Sequence, residues 1–270
     1  MKPAGMSSGT VIRHVSGVIS SLSIDAVVLA GGRGTRLASV VSDVPKPLAP
    51  VDGKPFLNYL LAGFVAGGVV GRVVLAIGHL ADRVVAHYAA TPPALPLDYS
   101  IETTPLGTGG ALVAAWPRVR GRRAIVANGD SLVASDHRAL LDHHVLSGAL
   151  VTMTLVEVPD TARYGAVTLA DDPAARPGTG RVSAFHEKSA IGGIGLINAG
   201  LYLIEAEAIA ALPDGPLSLE RDVLPVLVAA GRVQAVVTRG PFLDIGLPET
   251  YAAAPAFLAG LGMATGGTGR

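Results

Sequence analysis

A short apolar run, Ala26 to Ala30, feeds directly into Gly31-Gly32-Arg33-Gly34, a stretch too rich in glycine for either strand or helix. Bare backbone at a strand end can turn through positive φ and bring several N–H groups close to a ligand. Thr35-Arg36-Leu37 can then open a helix whose N-terminal amides favour anions. Arg36 adds a fixed fork of donors for phosphate oxygens, and Lys46, between Pro45 and Pro47, adds a point charge on a stiffened segment. The chemistry in outline is a phosphate cradle. A second candidate is Asp130 in Asn128-Gly129-Asp130. It leaves a strand directly behind a glycine, where a carboxylate can hold Mg²⁺ against phosphate oxygens. Taken alone, Asp130 also reads as an Asx turn or a helix cap.

Two other phosphate loops do not fit. The P-loop needs GxxxxGKS or GxxxxGKT, and no Gly-Lys-Ser or Gly-Lys-Thr follows. The dinucleotide fingerprint GxGxxG can start at Gly32 and Gly34, but Leu37 stands in place of its third glycine and Pro-rich VPKPLAP displaces the expected second strand. A glycine-rich turn with no ligand is the plain alternative. The basic residue and two prolines close behind it count against that. His143 and His144 are adjacent and cannot share a helix face, and no HxxxH or HExxH occurs, so zinc is not expected. Asp171-Asp172 reads as a turn.

The elements that must position these residues alternate through the first half. Strands are expected over Ala26–Ala30, Arg72–Ile77, Leu97–Glu102 and Ala124–Ala127, and helices over Pro55–Ala66, Ala81–Tyr88 and Ala111 to about Trp116. Such alternation implies an α/β fold, a mostly parallel sheet with helices on both faces and ligands at the strand C-termini. The second half changes character. Leu150–Val156, Gly165–Leu169 and Val182–Glu187 read as strands joined by turn-rich segments. Helical patterns return at Glu205–Ala211 and Leu219–Ala229, then strands at Val233–Thr238 and Phe242–Ile245 and a last helix from Glu249 to about Leu258. This suits a smaller β lobe laid on the first half. No hexapeptide repeat occurs.

The 270 residues suit one α/β domain, and a hydrophobic content of 50% supplies its core. Lysine plus arginine and aspartate plus glutamate each number 21, so no long-range field favours nucleic acid or a membrane surface. The absence of cysteine removes disulfides, thiolate catalysis and Cys-type zinc sites. No apolar stretch reaches the roughly 18 residues a membrane helix needs, so a cytoplasmic protein without membrane partners is expected. Residues 1–23 read as a disordered leader, 24–258 as one domain whose character changes at about residue 148, and 259–270 as a flexible tail.

GGRGTRL followed by VPKPL resembles the nucleotide-binding signature of the sugar-phosphate nucleotidylyltransferases, GGxGTRLxPLT…PKPL. The two motifs stand in order at the right separation, and the resemblance extends over nearly all of residues 24–258. Ala38 to Asp43 replace the common Pro-Leu-Thr. Ser-Asp-Val-Pro-Lys-Pro with GKPFLNYLL behind it is similar to the branch of the family that guanylylates D-glycero-α-D-manno-heptose 1-phosphate. The resemblance implies a Rossmann-like fold with a nucleotide half over about 24–148 and a smaller sugar-binding β lobe over about 149–258, and attack of a sugar 1-phosphate on a nucleoside triphosphate with Mg²⁺, releasing pyrophosphate. The attacking phosphate is already an anion at neutral pH, so catalysis is mostly positioning and charge neutralisation.

By resemblance, Arg36 and Lys46 stabilise the leaving group, while Leu29, Ala30, Gly31, Gly32, Gly34, Thr35, Gly107 and Thr108 hold the nucleotide. Asp130 and Asp244, the latter in FLDIG, match the two metal aspartates of the family. Glu187-Lys188 in FHEKS matches a sugar-lobe pair, although alone it reads as solvated surface. Asn198-Ala199-Gly200 matches a turn on the sugar, and Tyr164-Gly165 another. Glu102 occupies the position that meets the Watson–Crick edge of the base. Guanine presents N1–H and a 2-amino group side by side, which a carboxylate can accept together, so GTP is favoured over UTP. Mannose 1-phosphate with GTP, or glucose or N-acetylmuramate 1-phosphate with UTP, are the alternatives within the family. A catalytically silent regulatory homologue that binds sugar nucleotide is the alternative of another functional class. Family members include monomers, dimers and tetramers, so a homo-oligomer is compatible with the resemblance.

Overall fold

A computed structural model describes residues 23–32, 34–37, 40–41, 44–186 and 192–263. Residues 1–22 of the leader, Glu187, Lys188 and the end of the tail lie outside them. The chain begins with β1 (Ile24–Leu29), a small hairpin of β2 (Pro50–Val51) and β3 (Lys54–Pro55), and α1 (Phe56–Gly67). Gly68, with φ at +63°, ends α1 in the left-handed conformation that glycine tolerates. Next come β4 (Val70–Ile77), α2 (Ala81–Ala90), β5 (Leu97–Ile101), α3 (Gly107–Ala115), β6 (Arg123–Asn128) and β7 (Ser131–Val133). A helix that the sequence reading passes over, α4 (His137–Ser147), follows. Its start is set by Asp136, whose carboxylate accepts from the N–H groups of Arg138 and Ala139.

The second half contains β8 (Val151–Val158), β9 (Ala166–Leu169), β10 (Thr179–His186), β11 (Gly195–Glu205) and α5 (Ala206–Ala210). A π-helical turn, Leu219–Val223, leads into α6 (Leu224–Ala229), and β12 (Val233–Thr238), β13 (Phe242–Asp244) and α7 (Pro248–Gly260) complete the described chain. The sheet order is β5-β4-β1-β6-β11-β8-β12-β10-β9, with β9 also paired to β11. The last five strands therefore close on themselves as a small barrel.

The expectation of a mostly parallel sheet holds for β5, β4, β1 and β6, and parallel pairing recurs in the second half only between β8 and β12. Strand β11 is antiparallel to both β6 and β8, and β9 and β10 pair antiparallel, so the sheet as a whole is mixed. The cause lies in the connections. Parallel neighbours need a long crossover, and the helices of the first half provide it, whereas β9 and β10 are joined by turns alone. The second-half strands thus extend the nucleotide-side sheet and are not laid against it as a separate layer.

Both faces of the sheet are covered, and β1 alternates between them. Ala26 and Val28 pack with Phe56, Leu57 and Phe64 of α1, Leu140 of α4 and Leu258 of α7. Val27 and Leu29 pack with Ala111, Leu112 and Ala115 of α3 and Leu224 and Val228 of α6. The buried side of α4 also carries His137 and His144, exposed by only 6% and 1%. Burial lowers the pKa of each below the ordinary histidine value; for His144, Glu205 opposes the shift and Arg123 adds to it. The unfolded chain then takes up protons near pH 6.5 that the folded chain refuses. Stability is expected to be full above about pH 6.5 and to fall below it, by up to about 1.4 kcal/mol per pH unit for each histidine. Urea denaturation at a series of pH values checks this, and a flat profile from neutral pH to about pH 5 contradicts it.

Candidate active site

The glycine-rich loop leaves β1 at the C-terminal edge of the parallel strands. The Ala30 N–H still donates to the Ala76 carbonyl at 2.8 Å, and the backbone then turns at Gly34, with φ at +62°. Thr35-Arg36-Leu37 form a turn closed by the Leu37 N–H on the Gly34 carbonyl at 2.9 Å, not the start of the expected helix. The i to i−3 bond is too tight for an α-helix. Lys46–Leu48 form one 3₁₀ turn, with Pro47 at a position where its missing N–H costs nothing. A Cβ on Gly34 would stand 3.2 Å from the Cβ of Lys46, so the bare backbone of the loop lets this turn pack beneath it.

A cavity of about 350 Å³ opens between loop and turn. Leu29, Ala30, Gly31, Gly32, Gly34 and Lys46 line it together with Glu102, Gly107, Thr108 and Asp130. Glu102 sits in a slot between two glycines. A Cβ on Gly31 would lie 2.0 Å from its Oε1, and one on Gly78 would lie 2.6 Å from the same oxygen. Its Oε2 accepts the Leu106 N–H at 3.0 Å, closing the turn that leads to α3. The carboxylate is thereby fixed, and Oε1 is the oxygen turned toward Gly31.

A second cavity of about 680 Å³ shares Thr108, Asn128 and Asp130 with the first. Tyr164, Gly165, Asn198 and Asp244 line it. Arg36 lines this cavity and not the one under the loop. The register of β7 with β13 sets Asp244 opposite Ser131, and the Ile245 N–H donates to the Asp130 carbonyl at 2.9 Å. Two aspartates from distant parts of the sequence are thus neighbours. Lys46 Nζ donates to Asp130 Oδ2 at 2.6 Å, and Ser131 Oγ donates to Oδ1 at 3.3 Å. Asp244 Oδ1 accepts the Gly246 N–H at 2.6 Å.

The donors at this junction are hard carboxylate oxygens, and among the described residues no group of three or more histidine, cysteine, aspartate or glutamate side chains converges. Hard carboxylate oxygens fit Mg²⁺, which is commonly held by one or two carboxylates together with substrate phosphates. Tyr164 stacks edge-on against Phe242, 5.9 Å between ring centroids, and burial followed by the Asp244 charge raises its phenol pKa. Asn198 Nδ2 donates to the Tyr202 hydroxyl at 2.6 Å, and its Oδ1 accepts the Gly200 N–H at 3.0 Å. Asn198 lies within the long strand β11, and the expected turn is a bulge there, where Gly200 takes φ of +72°. Thr35 belongs to the loop turn but lines neither cavity, and Glu187 and Lys188 fall outside the described residues.

Some lining residues escape sequence reasoning. Asn128 lines both cavities, and its buried Oδ1 has no hydrogen-bond partner among the described residues. It stands in the same Asn-Gly-Asp motif as Asp130. Ser218, Glu220 and Arg221 reach the second cavity from a stretch that reads as the start of an amphipathic helix.

The sequence profile described as nucleotidyl transferase matches residues 25–260. The chain is 33% identical to the D-glycero-alpha-D-manno-heptose 1-phosphate guanylyltransferase of Aneurinibacillus thermoaerophilus, over 84% of this chain and 95% of that protein. It is 36% identical to the mannose-1-phosphate guanylyltransferase of Mycobacterium tuberculosis, over 84% of this chain but 62% of that protein's length. The crystal structure of HddC from Yersinia pseudotuberculosis complexed with GMP-PN superposes with a TM-score of 0.74 at 34% identity, covering 87% of this chain and 99% of that one.

Proposed function

Because the chain belongs to the nucleotidyl transferase family, we propose that it transfers GMP from GTP to D-glycero-α-D-manno-heptose 1-phosphate, forming GDP-D-glycero-α-D-manno-heptose and pyrophosphate. The observation that carries this reading is the meeting of two cavities at Thr108, Asn128 and Asp130. A triphosphate in the first and a sugar phosphate in the second bring the α-phosphorus and the attacking oxygen to their junction, where alignment does most of the catalytic work. Similarity to the heptose 1-phosphate enzyme over 95% of its length supports the choice of sugar.

We assign the backbone from Leu29 to Gly34, with Thr35, Gly107 and Thr108, to holding the nucleotide. Lys46 and Arg36 neutralise the phosphates from the two sides of the junction. Asp130 and Asp244 would hold Mg²⁺, which when bound shields charge on the phosphate oxygens. Tyr164, Gly165, Asn198, Glu187 and Lys188 are assigned to the sugar phosphate. This divides the chain into a nucleotide half and a sugar half near residue 148, and the reaction is placed in the cytoplasm. No described helix is long and apolar enough to cross a membrane.

Glu102 reads guanine through its donors, and its slot makes a sharp test. Gly31→Ala places a methyl group on Oε1, so the KM for GTP is expected to rise about tenfold or more, the scale of a displaced charged hydrogen bond. An unchanged KM contradicts the assignment of Glu102 to the base. A second reading has one specific observation in its favour, the 36% identity to the mannose 1-phosphate enzyme. Steady-state kinetics with GTP and each sugar 1-phosphate decide between them. A kcat/KM for the heptose phosphate about tenfold or more above that for mannose 1-phosphate supports the main reading, and the reverse order transfers the assignment to mannose.

A further inference from the structure

The segment before the π-helical turn is strapped across the start of α3. Leu217 donates its N–H to the Leu106 carbonyl at 2.8 Å, and its own carbonyl accepts the Gly109 and Gly110 N–H groups at 2.8 and 3.1 Å. The approach is too close for side chains. A Cβ on Gly107 would meet the Leu217 oxygen at 2.6 Å, and one on Gly110 the Gly215 oxygen at 2.2 Å. The Gly109 and Gly110 amides in the first turn of α3 are therefore occupied by protein and not left for phosphate. The strap delivers Glu220 to the wall of the second cavity instead.

Glu220 is held there from one side only. Its Oε2 accepts Thr108 Oγ1 at 2.6 Å and Ser218 Oγ at 3.2 Å, while Thr108 Oγ1 itself accepts the Leu219 N–H at 2.8 Å. Oε1 has no hydrogen-bond partner among the described residues. A fixed carboxylate oxygen facing a polar cavity can only accept, and the donors that a sugar phosphate offers are its hydroxyl groups. We propose that Glu220 binds a hydroxyl of the sugar and that Thr108 is the positioning residue that aims it. The inference rests on the reading of the second cavity as the sugar site. It also gives Thr108 a role beyond the nucleotide, since this residue lines both cavities.

The test is steady-state kinetics of pyrophosphate release, with GTP and Mg²⁺, on the full chain and on Glu220→Gln, Thr108→Val and Thr108→Ser. Mannose 1-phosphate and its monodeoxy analogues are run beside the heptose phosphate. Glu220→Gln is expected to raise the KM for the sugar phosphate about tenfold or more, the scale of a hydrogen bond to a charged group, with the KM for GTP unchanged. Thr108→Val is expected to raise the sugar KM in the same direction and Thr108→Ser to restore it. One deoxy analogue should be penalised by the wild type and not by Glu220→Gln, which identifies the hydroxyl by a double-mutant cycle. Equal rises in both KM values, a changed Mg²⁺ requirement with an unchanged sugar KM, or a deoxy penalty that persists in Glu220→Gln at every position overturns the proposal. No turnover of any sugar phosphate by the wild type overturns the function reading with it, so the two failures are told apart.

Discussion

Asp130→Ala is expected to lower kcat by about a hundredfold or more, the usual scale for losing a key electrostatic group. The carboxylate stands where the two cavities meet, beside Asp244 on the paired strand, and its side chain is 37% exposed. Its removal breaks the bond to Lys46 but leaves β7 and β13 paired through the backbone, because the Ile245 N–H is held by the carbonyl of residue 130 and not by the carboxylate. The variant should therefore melt within a few degrees of the wild type while turnover collapses. Single-turnover kinetics with saturating GTP, sugar phosphate and Mg²⁺ separate this effect from weakened binding. Wild-type turnover in Asp130→Ala would remove the metal assignment.

Lys46→Met is expected to cost about a hundredfold in kcat/KM for the nucleotide. The Lys46 side chain is 15% exposed and is carried on the short proline-flanked turn under Gly34. A mobile cation elsewhere cannot replace a charge fixed at that point. Methionine keeps much of the stem and its packing while deleting the charge. The ammonium bonds to Asp130 at 2.6 Å, so the two losses should not add. In the double variant, Asp130→Ala should cost less than it does alone, because the partner it leaves behind is gone. Strict additivity would show that the contact has no part in catalysis.

The first half of the fold was legible because its signals are local. The apolar run into Gly31-Gly32, the helical spacing of Phe56, Leu57, Leu60, Leu61 and Phe64, and the strand into Asn128-Gly129-Asp130 each announce an element within a dozen residues. Strand β11 did not. Gly200 at +72° interrupts it as a turn would, and only its pairing with β6 and β8 on either side makes one strand of eleven residues. Gly107 to Gly110 differ in the opposite sense. They precede the helix expected from Ala111 yet form the first turn of α3, where the strap at Leu217 lies so close that it requires bare backbone.

The same distinction governs the site. The loop, Lys46 and Asp130 stand in compact motifs, and the structure brings them around one cavity. Placing Arg36 beside the second cavity depends on how the loop turns after Gly34, and the spacing of residues does not show it. Glu220 approaches Thr108 across 112 positions of sequence. Its Ser-Leu-Glu context looks like an ordinary helix start, where the chain instead makes a π-helical turn whose Glu220 lines the cavity.

Pyrophosphate release with Mg²⁺, measured for GTP, UTP, dTTP, ATP and CTP with D-glycero-α-D-manno-heptose 1-phosphate as acceptor, tests the central claim most directly. Release with GTP, and at least about tenfold less with every other triphosphate, is the expected result, at the discrimination a hydrogen-bonded base can provide. Release with UTP in preference to GTP would contradict the guanylyl assignment and the part given to Glu102, and no release with any triphosphate would contradict the proposed reaction itself.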